Sequence, residues 1–366
     1  MDRRSVIPAA WRSSSISRRS MLVGAAAVGG FLAVDLGSVL LARGPLGSQA
    51  RLTPQAFVDA FHKVAGVHRG YRLNHAKGVA VSGFFESNGA GAELTEAAVF
   101  RAGRIPLVGR FSVPGGNPTV SDTAAAPRGL ALAIGYPDRQ QWRTAMLNLP
   151  VFQDNSVQGF YDRLLASKPV PGTGKPDPAA MADFLAAHPE TVAAMSVIKR
   201  QPPTSGFADS TFRGLNAFYF VNEAGDRTPV RWSLVPLQEV KPPSQESNSP
   251  NWLFDNVVRD LRSGPLRWRL LVTIGEPQDD VRDATIAWPV GRRTIDTGTV
   301  VLDSIAAESA GNARDVNFDP MVLPDGIEPS EDPLLPARSS VYAASFRRRA
   351  GVAGATPAVE AEAVAR

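Results

Sequence analysis

The segment Arg72-Leu-Asn-His-Ala-Lys-Gly-Val-Ala-Val-Ser-Gly-Phe-Phe85 combines a histidine with an apolar run. Its second half, from Gly78 onward, is short, apolar and rich in β-branched and aromatic residues, which is typical of a buried strand. His75 lies just before that strand, so an imidazole stands at the mouth of a sheet. A hydrogen-bonded structural histidine is the more frequent case for such a position. Sequence features elsewhere in the chain are therefore needed to distinguish a structural histidine from a catalytic one.

The composition of the 366 residues favours strands and structured loops, because 30 prolines and 32 glycines argue against a helical bundle. The length accommodates either two average domains or one large β-barrel with helices. The chain has no cysteine. Disulfides, zinc-thiolate sites, iron-sulfur clusters, thiol nucleophiles and thiolate-ligated haem are therefore excluded.

The formal charge of +4 is confined to the first 50 residues, which hold six arginines and two aspartates. Since the whole chain has 39 basic and 35 acidic residues, 33 of each remain in residues 51–366. A neutral body argues against nucleic acid as a partner.

Residues 1–50 have the pattern of a targeting segment and not that of a folded domain. The segment Ser17-Arg-Arg-Ser-Met-Leu22 resembles a twin-arginine export signal, and an apolar run from Met21 to Ala42 with the single charge Asp35 follows it. The alternative is a membrane anchor, because about 20 apolar residues can span a bilayer. The twin-arginine interpretation predicts a protein handled by the export machinery for folded proteins. It is then either periplasmic, after cleavage near residues 48–50, or anchored to the outer face of the inner membrane.

The body, residues 51–350, is predicted to be an α+β domain. Thr53 as a cap, Pro54 in the first turn, and Phe57 and Phe61 at helical spacing predict an opening helix. A helical interval at 158–197 interrupts a series of short strands. The other predicted strands are 99–102, 108–113, 130–134, 144–147, 218–221, 230–236, 268–274 and 297–302. Many short strands with turn residues between them indicate an antiparallel barrel with appended helices. Residues 351–366 are predicted to form a disordered tail.

The stretch around His75 resembles the distal-histidine motif of the haem catalases, Arg-x-x-His-Ala-Lys-Gly. Three later segments resemble the next landmarks of that family, namely Arg110-Phe-Ser112, Pro127-Arg-Gly-Leu-Ala131 and Asn148-Leu-Pro-Val-Phe152. The resemblance implies that His75 is the distal base, that the Ser112 hydroxyl orients it, and that the Asn148 amide donates a hydrogen bond to bound peroxide. A histidine needs such an orienting partner to hold one tautomer.

The segment near the end of the chain resembles the part of catalases that carries the fifth iron ligand. Phe318-Asp-Pro320 and Gly326-Ile-Glu-Pro-Ser330 precede Arg338-Ser-Ser-Val-Tyr342. Residues four apart lie on one face of a helix, so Arg338 and Tyr342 are predicted to be neighbours. A phenol with a pKa of about 10 has to ionise to ligate ferric iron at neutral pH, and an adjacent guanidinium favours the charged form. Taken alone, Tyr342 is better explained as a residue that caps an amphipathic helix.

These motifs, each weak by itself, occur in the order of the family across residues 72–342. The chain is similar to the small catalase-related peroxidases, which keep a minimal catalase core. The resemblance implies a barrel of about eight strands with haem b buried against it and Tyr342 as the iron ligand. It implies propionate-binding roles for Arg72, Arg110 and Arg349. Phe160 is predicted either to pack on the porphyrin or to belong to the core.

Two departures from the family bear on the activity. Asn74 stands where catalases have valine over the porphyrin, so we predict that it is a polar contact of His75 or the haem edge. After Tyr342, the usual Pro-Asp-Thr-His is replaced by residues 343–346, Ala-Ala-Ser-Phe. Full-size catalases also carry an amino-terminal arm, a wrapping segment and a carboxy-terminal region that this sequence does not show. The oligomeric state is therefore left open, and a more open pocket is expected.

The predicted function is a haem peroxidase of the oxidative stress response that reduces organic peroxides and hydrogen peroxide. The resemblance implies a ferryl intermediate, a small-molecule electron donor and weak catalase activity. Two alternatives stay open at this point. One is a hydroperoxide-rearranging enzyme on the same fold, and the other is a non-catalytic haem-binding protein of the cell envelope. The physiological donor and peroxide are not encoded in any motif.

Overall fold

Eight antiparallel strands close into a barrel in the computed structural model, which describes residues 52–137, 140–239, 249–350, 352 and 355–363. In chain order the strands are β1 (Gly78–Ser87), β2 (Gly103–Ser112), β3 (Gly129–Ile134), β4 (Trp142–Leu147), β5 (Phe212–Arg213), β6 (Phe218–Val221), β7 (Arg227–Pro236), β8 (Leu266–Ile274), β9 (Thr294–Ala306) and β10 (Ile327–Pro329). The ring runs β1-β2-β3-β4-β5-β7-β8-β9 and returns to β1, while β6 and β10 extend from β7 outside it. The predicted barrel of about eight strands with appended helices is confirmed.

Alternation along the strands divides the side chains between the interior of the barrel and its outer face. Val79 and Val81 lie in the main hydrophobic core, whereas Ala80 belongs to a separate cluster with Val108 and Ala133. The interior is filled by large side chains that include Phe85, Phe111, Trp142, Phe212 and Trp268. The interior is thus a packed core, and chemistry has to be sought on the outer face of β1, β2 and β3.

The described part of the chain forms six α-helices in addition to the barrel. They are α1 (Pro54–Ala65), α2 (Val157–Ala166), α3 (Pro178–Ala187), α4 (Pro189–Lys199), α5 (Trp252–Ser263) and α6 (Leu334–Arg349). The predicted start of α1 is confirmed, because the Thr53 hydroxyl accepts a hydrogen bond from Ala56 N at 3.2 Å. Helix α1 packs against α6, which carries Arg338 and Tyr342 on its length.

A buried ion pair ties the start of β1 to α5. Lys77 Nζ donates to Asp122 Oδ1 at 2.6 Å and also to the carbonyl oxygens of Val120 and Pro250. Asp122 Oδ2 in turn accepts from Leu253 N in the first turn of α5. All three ammonium protons of Lys77 therefore have partners, which a buried ammonium requires. The lysine of the His75 motif is structural and fixes the segment that precedes β1.

Local structure differs from the predictions at two places. Residues Ala98–Phe100 form a 3₁₀ turn and the strand begins only at Gly103, although 99–102 is predicted to be extended. Helix α5 is not among the predicted elements, although its apolar residues recur at helical spacing and six of them are buried. The predicted export segment and most of the predicted crossover loop at 242–250 lie outside the described residues. Within the described ranges, no helix combines the length and the apolar character needed to cross a bilayer.

The segment 355–363 is docked on the body, in contrast to the predicted disordered tail. Val359 and Ala361 are buried in the main hydrophobic core. Arg262 Nη2 donates to Ala361 O at 2.7 Å, and Glu362 Oε1 accepts from Ala307 N at 3.1 Å. Sequence patterns do not predict this docking, because the alanine and valine residues are buried by tertiary contacts and do not form an amphipathic repeat.

Replacing Val359 by alanine should lower the free energy of unfolding by about 2 kcal/mol, because two buried methyl groups are removed and a cavity is left. Urea denaturation of the full chain measures this difference. Val67→Ala is the matched control, since Val67 is 60% exposed and its truncation should change stability little. Equal midpoints for the two variants would mean that the tail does not contribute to the core.

Candidate active site

Small residues on the outer face of the barrel make room for two functional side chains of β2. Arg110 lies between Ala80 of β1 and Ala131 of β3 in the strand register, and Ser112 lies between Gly78 and Gly129. A Cβ atom on Gly78 would overlap the Arg110 guanidinium, and one on Gly129 would come within 2.9 Å of the Ser112 hydroxyl. The glycines and alanines of the flanking strands are thus required for the side chains of β2 to lie flat against the barrel.

The backbone of His75 is held in a left-handed conformation, with a φ angle of 56°. This conformation is uncommon for residues other than glycine and persists only when the surroundings hold it. Arg110 Nη1 donates to His75 O at 2.8 Å, and the Asn74 side-chain oxygen accepts from His75 N at 3.0 Å. The same Asn74 oxygen accepts from Gly115 N at 2.7 Å. Asn74 therefore contacts the main chain of His75 and not its ring, which refines the role predicted for it.

The imidazole of His75 is oriented by Ser112, as predicted, with Nδ1 and the hydroxyl oxygen 3.0 Å apart. Whichever atom donates, this hydrogen bond uses Nδ1, so Nε2 is the ring nitrogen that remains available to a ligand. Burial, followed by the positive charges of Arg110, Arg72 and Arg338, lowers the pKa of His75 to about 3. The ring is therefore neutral at physiological pH and able to accept a proton.

The Asn148 amide has one end fixed and one end free. Its side-chain oxygen accepts from Arg128 N at 2.7 Å, while its backbone N–H donates to Arg128 O at 2.9 Å. The arrangement leaves the Asn148 NH₂ group as a donor toward the site. An amide whose oxygen is already used cannot rotate to present an acceptor, so the position is specific for a ligand atom that accepts a hydrogen bond.

Helix α6 supplies the opposite side of the site. Tyr342 packs against the outer-face cluster of the barrel together with Phe318. Arg338 Nη1 donates to Asn216 Oδ1, and Asn216 Nδ2 donates to Asp332 Oδ2 at 2.7 Å. Arg338 is among the cations that lower the pKa of His75. Tyr342 is among the groups that raise the pKa of Arg72, although burial keeps that pKa lowered. The predicted distal and proximal residues thus share one electrostatic environment, although hundreds of residues separate them in sequence.

Three largely buried arginines lie beside this site, namely Arg72, Arg110 and Arg349, for which the resemblance implies propionate-binding roles. Arg110 is 2% exposed and Arg349 is 5% exposed. Arg72 Nη2 donates to Ala313 O and Val316 O at 2.9 and 3.1 Å, and Arg349 Nη2 donates to Val316 O at 3.1 Å. Burial, then the charge of Arg110, lowers the pKa of Arg349 to about 10. The three guanidinium groups are kept close against their mutual repulsion.

The charge of this cluster fits a cofactor with two carboxylates. Glu308 pairs with Arg110 and Arg72, and the neighbouring Arg314 pairs with Asp315. Among the residues that the structure describes, the three arginines with Glu308 therefore carry a surplus of two positive charges. Buried charges are normally paired, so the surplus calls for two anionic groups. The two propionates of a haem would supply this charge, and the phenol of Tyr342 is an oxygen group of the type that ferric iron takes.

Phe160 belongs to an aromatic wall next to the site and not to the interior of the barrel. Its ring is stacked on that of Phe152 with a centroid separation of 6.1 Å, and it also contacts Phe57 and Phe61 of α1. The ring is only half-buried in the described residues. Both predicted roles, a porphyrin contact and a packing residue, are compatible with this position.

Two groups of this site are missing from the sequence predictions. Glu308 lies 198 residues after Arg110 and belongs to no motif. The Asn216–Asp332 pair that holds Arg338 comes from a loop and from the segment before α6. Composition gives no signal for these residues, because each is recognisable only through the partner it meets in the fold.

Comparison with known proteins places this arrangement in a family. A family model described as Catalase matches residues 52–361. The chain is 36% identical over 301 residues to a catalase-related peroxidase of Synechococcus elongatus, and the match covers 81% of this chain and 89% of that one. It is 31% identical over 306 residues to a catalase-related peroxidase of Mycolicibacterium paratuberculosis, with coverages of 82% and 96%. The structure of catalase A from Saccharomyces cerevisiae superposes with a TM-score of 0.70 at 22% identity, covering 85% of this chain and 68% of that one.

The lowered pKa of His75 predicts a specific pH dependence of stability. The unfolded chain, with an ordinary histidine pKa of about 6.5, binds more protons than the folded protein between pH 6.5 and about 3. The stability of the cofactor-free protein should therefore fall as the pH drops below 6.5. The slope due to His75 is up to about 1.4 kcal/mol per pH unit.

The measurement compares urea unfolding of the wild type and His75→Gln, which cannot titrate, from pH 8 to pH 4.5. The difference at pH 8 gives the cost of the substitution itself, since both side chains are neutral there. The wild type should lose more stability than the variant as the pH falls. Parallel curves would show that the imidazole titrates equally in the folded and unfolded states.

Proposed function

Because the chain belongs to the catalase family, we propose that it is a haem b peroxidase that reduces organic hydroperoxides and hydrogen peroxide. At the coarser level it is a haem enzyme of the peroxidase and catalase type that acts on peroxide. The proposal includes a small-molecule electron donor, weak catalase activity and a role in the response to oxidative stress. The observation that carries it is the neutral imidazole of His75, whose Nδ1 is held 3.0 Å from the Ser112 hydroxyl.

The residues that would hold the haem lie on two sides of one site. Tyr342 of α6 would ligate the iron, with Arg338 held beside it on the same helical face by Asn216. Arg72, Arg110 and Arg349 would bind the propionates, and Phe160 would pack on the ring. A bound haem would supply the iron that accepts the two oxidising equivalents of the peroxide. The oxidation state that the resemblance implies for that iron stays a prediction.

His75 moves the proton between the two oxygens of the peroxide. Its Nε2 accepts the proton from one peroxide oxygen and returns it to the other, which leaves as water or as an alcohol when the O–O bond breaks. The remaining oxygen is reduced to water by two electrons from the small-molecule donor, with two protons. The lowered pKa of His75 favours this role, because a ring that is neutral before the reaction accepts a proton and holds it weakly. Ser112 keeps the ring in one orientation during both transfers.

Asn148 donates to the departing oxygen. Its carbonyl end is fixed by Arg128 N, so its NH₂ group has a defined direction and needs no reorganisation during the reaction. Asn74 contributes indirectly, since its side-chain oxygen holds the backbone of His75 and of the Gly115 loop together. A positioning role of this kind does not require Asn74 to contact the cofactor.

Export is a separate proposal that rests on the sequence of residues 17–22 and the apolar run behind it. A twin-arginine route carries folded proteins, which suits an enzyme that takes up its cofactor before leaving the cytoplasm. The proposed location is the periplasm or the outer face of the inner membrane. Changing Arg18 and Arg19 to lysine would then leave the protein in the cytoplasm.

Two substitutions separate cofactor binding from chemistry. His75→Ala should still bind haem, but its rate of reaction with peroxide should fall by at least about 100-fold, since it loses the group that transfers the proton. Tyr342→Phe should lose the haem or change its absorption spectrum, because the iron ligand is removed. Absorption spectroscopy of the purified variants and stopped-flow mixing with one equivalent of hydroperoxide measure both effects. Unchanged kinetics in His75→Ala would refute the role assigned to that residue.

Product analysis decides between a peroxidase and an isomerising enzyme on the same fold. With a fatty-acid hydroperoxide as substrate, a peroxidase should give the corresponding alcohol and should consume the donor in proportion. An isomerising enzyme would convert the hydroperoxide without any donor and with no loss of oxygen atoms. Mass spectrometry of the products with and without donor makes the distinction. A parallel assay of oxygen released from hydrogen peroxide tests whether the catalase activity is weak.

A further inference from the structure

Glu308 is a buried carboxylate in the arginine cluster that the proposed reaction does not use. It lies in the connection between β9 and the 3₁₀ turn Ala313–Asp315, and its side chain is 12% exposed. Arg110 Nε donates to Glu308 Oε1 at 3.0 Å and Arg110 Nη2 donates to Glu308 Oε2 at 2.7 Å. Arg72 Nη2 lies 4.0 Å from Glu308 Oε1. The contact with Arg110 is thus a forked, charge-assisted pair of the strong kind.

Each of the three nitrogens of Arg110 already donates one hydrogen bond in this arrangement. Two of its nitrogens bind Glu308, and the third, Nη1, donates to His75 O. A second carboxylate aimed at Arg110 would therefore meet a guanidinium whose fork is filled. Glu308 occupies the place of a propionate with respect to this arginine, since both groups offer the same two oxygens.

Glu308 is ionised at neutral pH despite its burial. Burial opposes the charged form, but the charge and hydrogen bonds of Arg110, together with Arg72 and Arg349, outweigh it and lower the pKa of the carboxyl. In the protein without cofactor, Glu308 thus offsets one of three buried positive charges. It reduces the mutual repulsion of Arg72, Arg110 and Arg349 at close range.

A small cavity lies beside Glu308. A cavity of about 20 Å³ is lined by Arg72, Glu308 and Arg349 and is covered by residues 355–358 of the docked tail. A volume of this size holds about one water molecule. The main chain next to Glu308 is fixed, because Ala307 N donates to Glu362 Oε1 and Asn312 Nδ2 donates to Ala307 O. The side chain of Glu308 is therefore the part that moves when carboxylates enter.

We propose that Glu308 is an internal competitor for the carboxylates of the cofactor. It stabilises the empty arginine cluster and by the same contacts weakens the binding of haem. This inference rests on the proposed function, because it assumes that the cluster receives the propionates. It assigns to Glu308 a regulatory part in cofactor loading and retention and not a part in the reaction with peroxide.

The test is the rate at which haem leaves the protein. Glu308→Gln keeps the size of the side chain and removes its charge, so the propionates no longer compete with an anion for Arg110. Transfer of haem from the loaded full chain to excess apomyoglobin should be about tenfold slower in Glu308→Gln than in the wild type, which corresponds to about 1.4 kcal/mol. The cofactor-free variant should unfold at a lower temperature than the cofactor-free wild type, because three arginines are then left without their anion.

Three comparisons make the result specific. Glu86→Gln is the matched control, since Glu86 forms an ion pair with Arg104 on the exposed surface and should leave haem loss unchanged. Haem with both propionates esterified should leave the wild type and Glu308→Gln at similar rates, because it brings no carboxylates to compete. Glu308→Asp, which keeps the charge but shortens the side chain, should fall between the wild type and Glu308→Gln. It serves as the decisive variant if Glu308→Gln does not fold without cofactor.

The outcomes separate this inference from the function on which it rests. A wild type that binds no haem would overturn both the proposed function and the role of Glu308. A wild type that binds haem, with Glu308→Gln losing it as fast or faster, would overturn the competition alone and make Glu308 a supporting residue of the cluster. Slower loss in Glu308→Gln, restricted to haem with free carboxylates, is the result that supports it.

Discussion

The contacts of Arg110 are the interaction on which the arrangement of the site depends. Its guanidinium lies on the outer face of β2 and joins three parts of the chain, namely the strand itself, the main chain of His75 and the carboxylate of Glu308. It lies flat there because Gly78 and Ala80 of the neighbouring strand leave room for it. A larger residue at Gly78 would push the arginine away and release the loop that carries His75. The small residues of β1 and β3 are therefore as important to the chemistry as the charged residue between them.

The rigidity of this outer face comes from the opposite side of the strands. Large aromatic side chains fill the barrel interior, and Trp142 contacts both Trp232 and Phe100 there. A packed interior of this kind transmits displacement and resists it. The packed interior keeps the strand that follows His75 in place, so His75 can retain an unfavourable backbone conformation. Lys77, two residues later, adds the buried link to Asp122 that fixes the same segment to α5.

Much of the fold and the predicted site residues follow from the sequence, because their signals are local. The pattern that begins at Gly78 predicts β1, and the spacing of Arg338 and Tyr342 predicts that they share a face of α6. Strand β5 has only two residues. Helix α5 follows a proline-rich segment and is not among the predicted elements. Glu308 and the burial of Val359 depend on partners far away in the chain, so no local pattern identifies them. Sequence thus predicts which residues take part, and the fold decides which of them are already paired.

The arginine cluster couples cofactor binding to the strength of the distal base. Burial and then the positive charges of Arg110 and Arg72 lower the pKa of His75 to about 3 in the protein without cofactor. Two bound carboxylates would offset those charges and raise the pKa of His75 toward its ordinary value, although burial would still hold it down. His75 would then accept a proton more readily once the propionates are in place than before. The same guanidinium groups that would anchor the cofactor therefore lower the pKa of the distal base in the protein without cofactor.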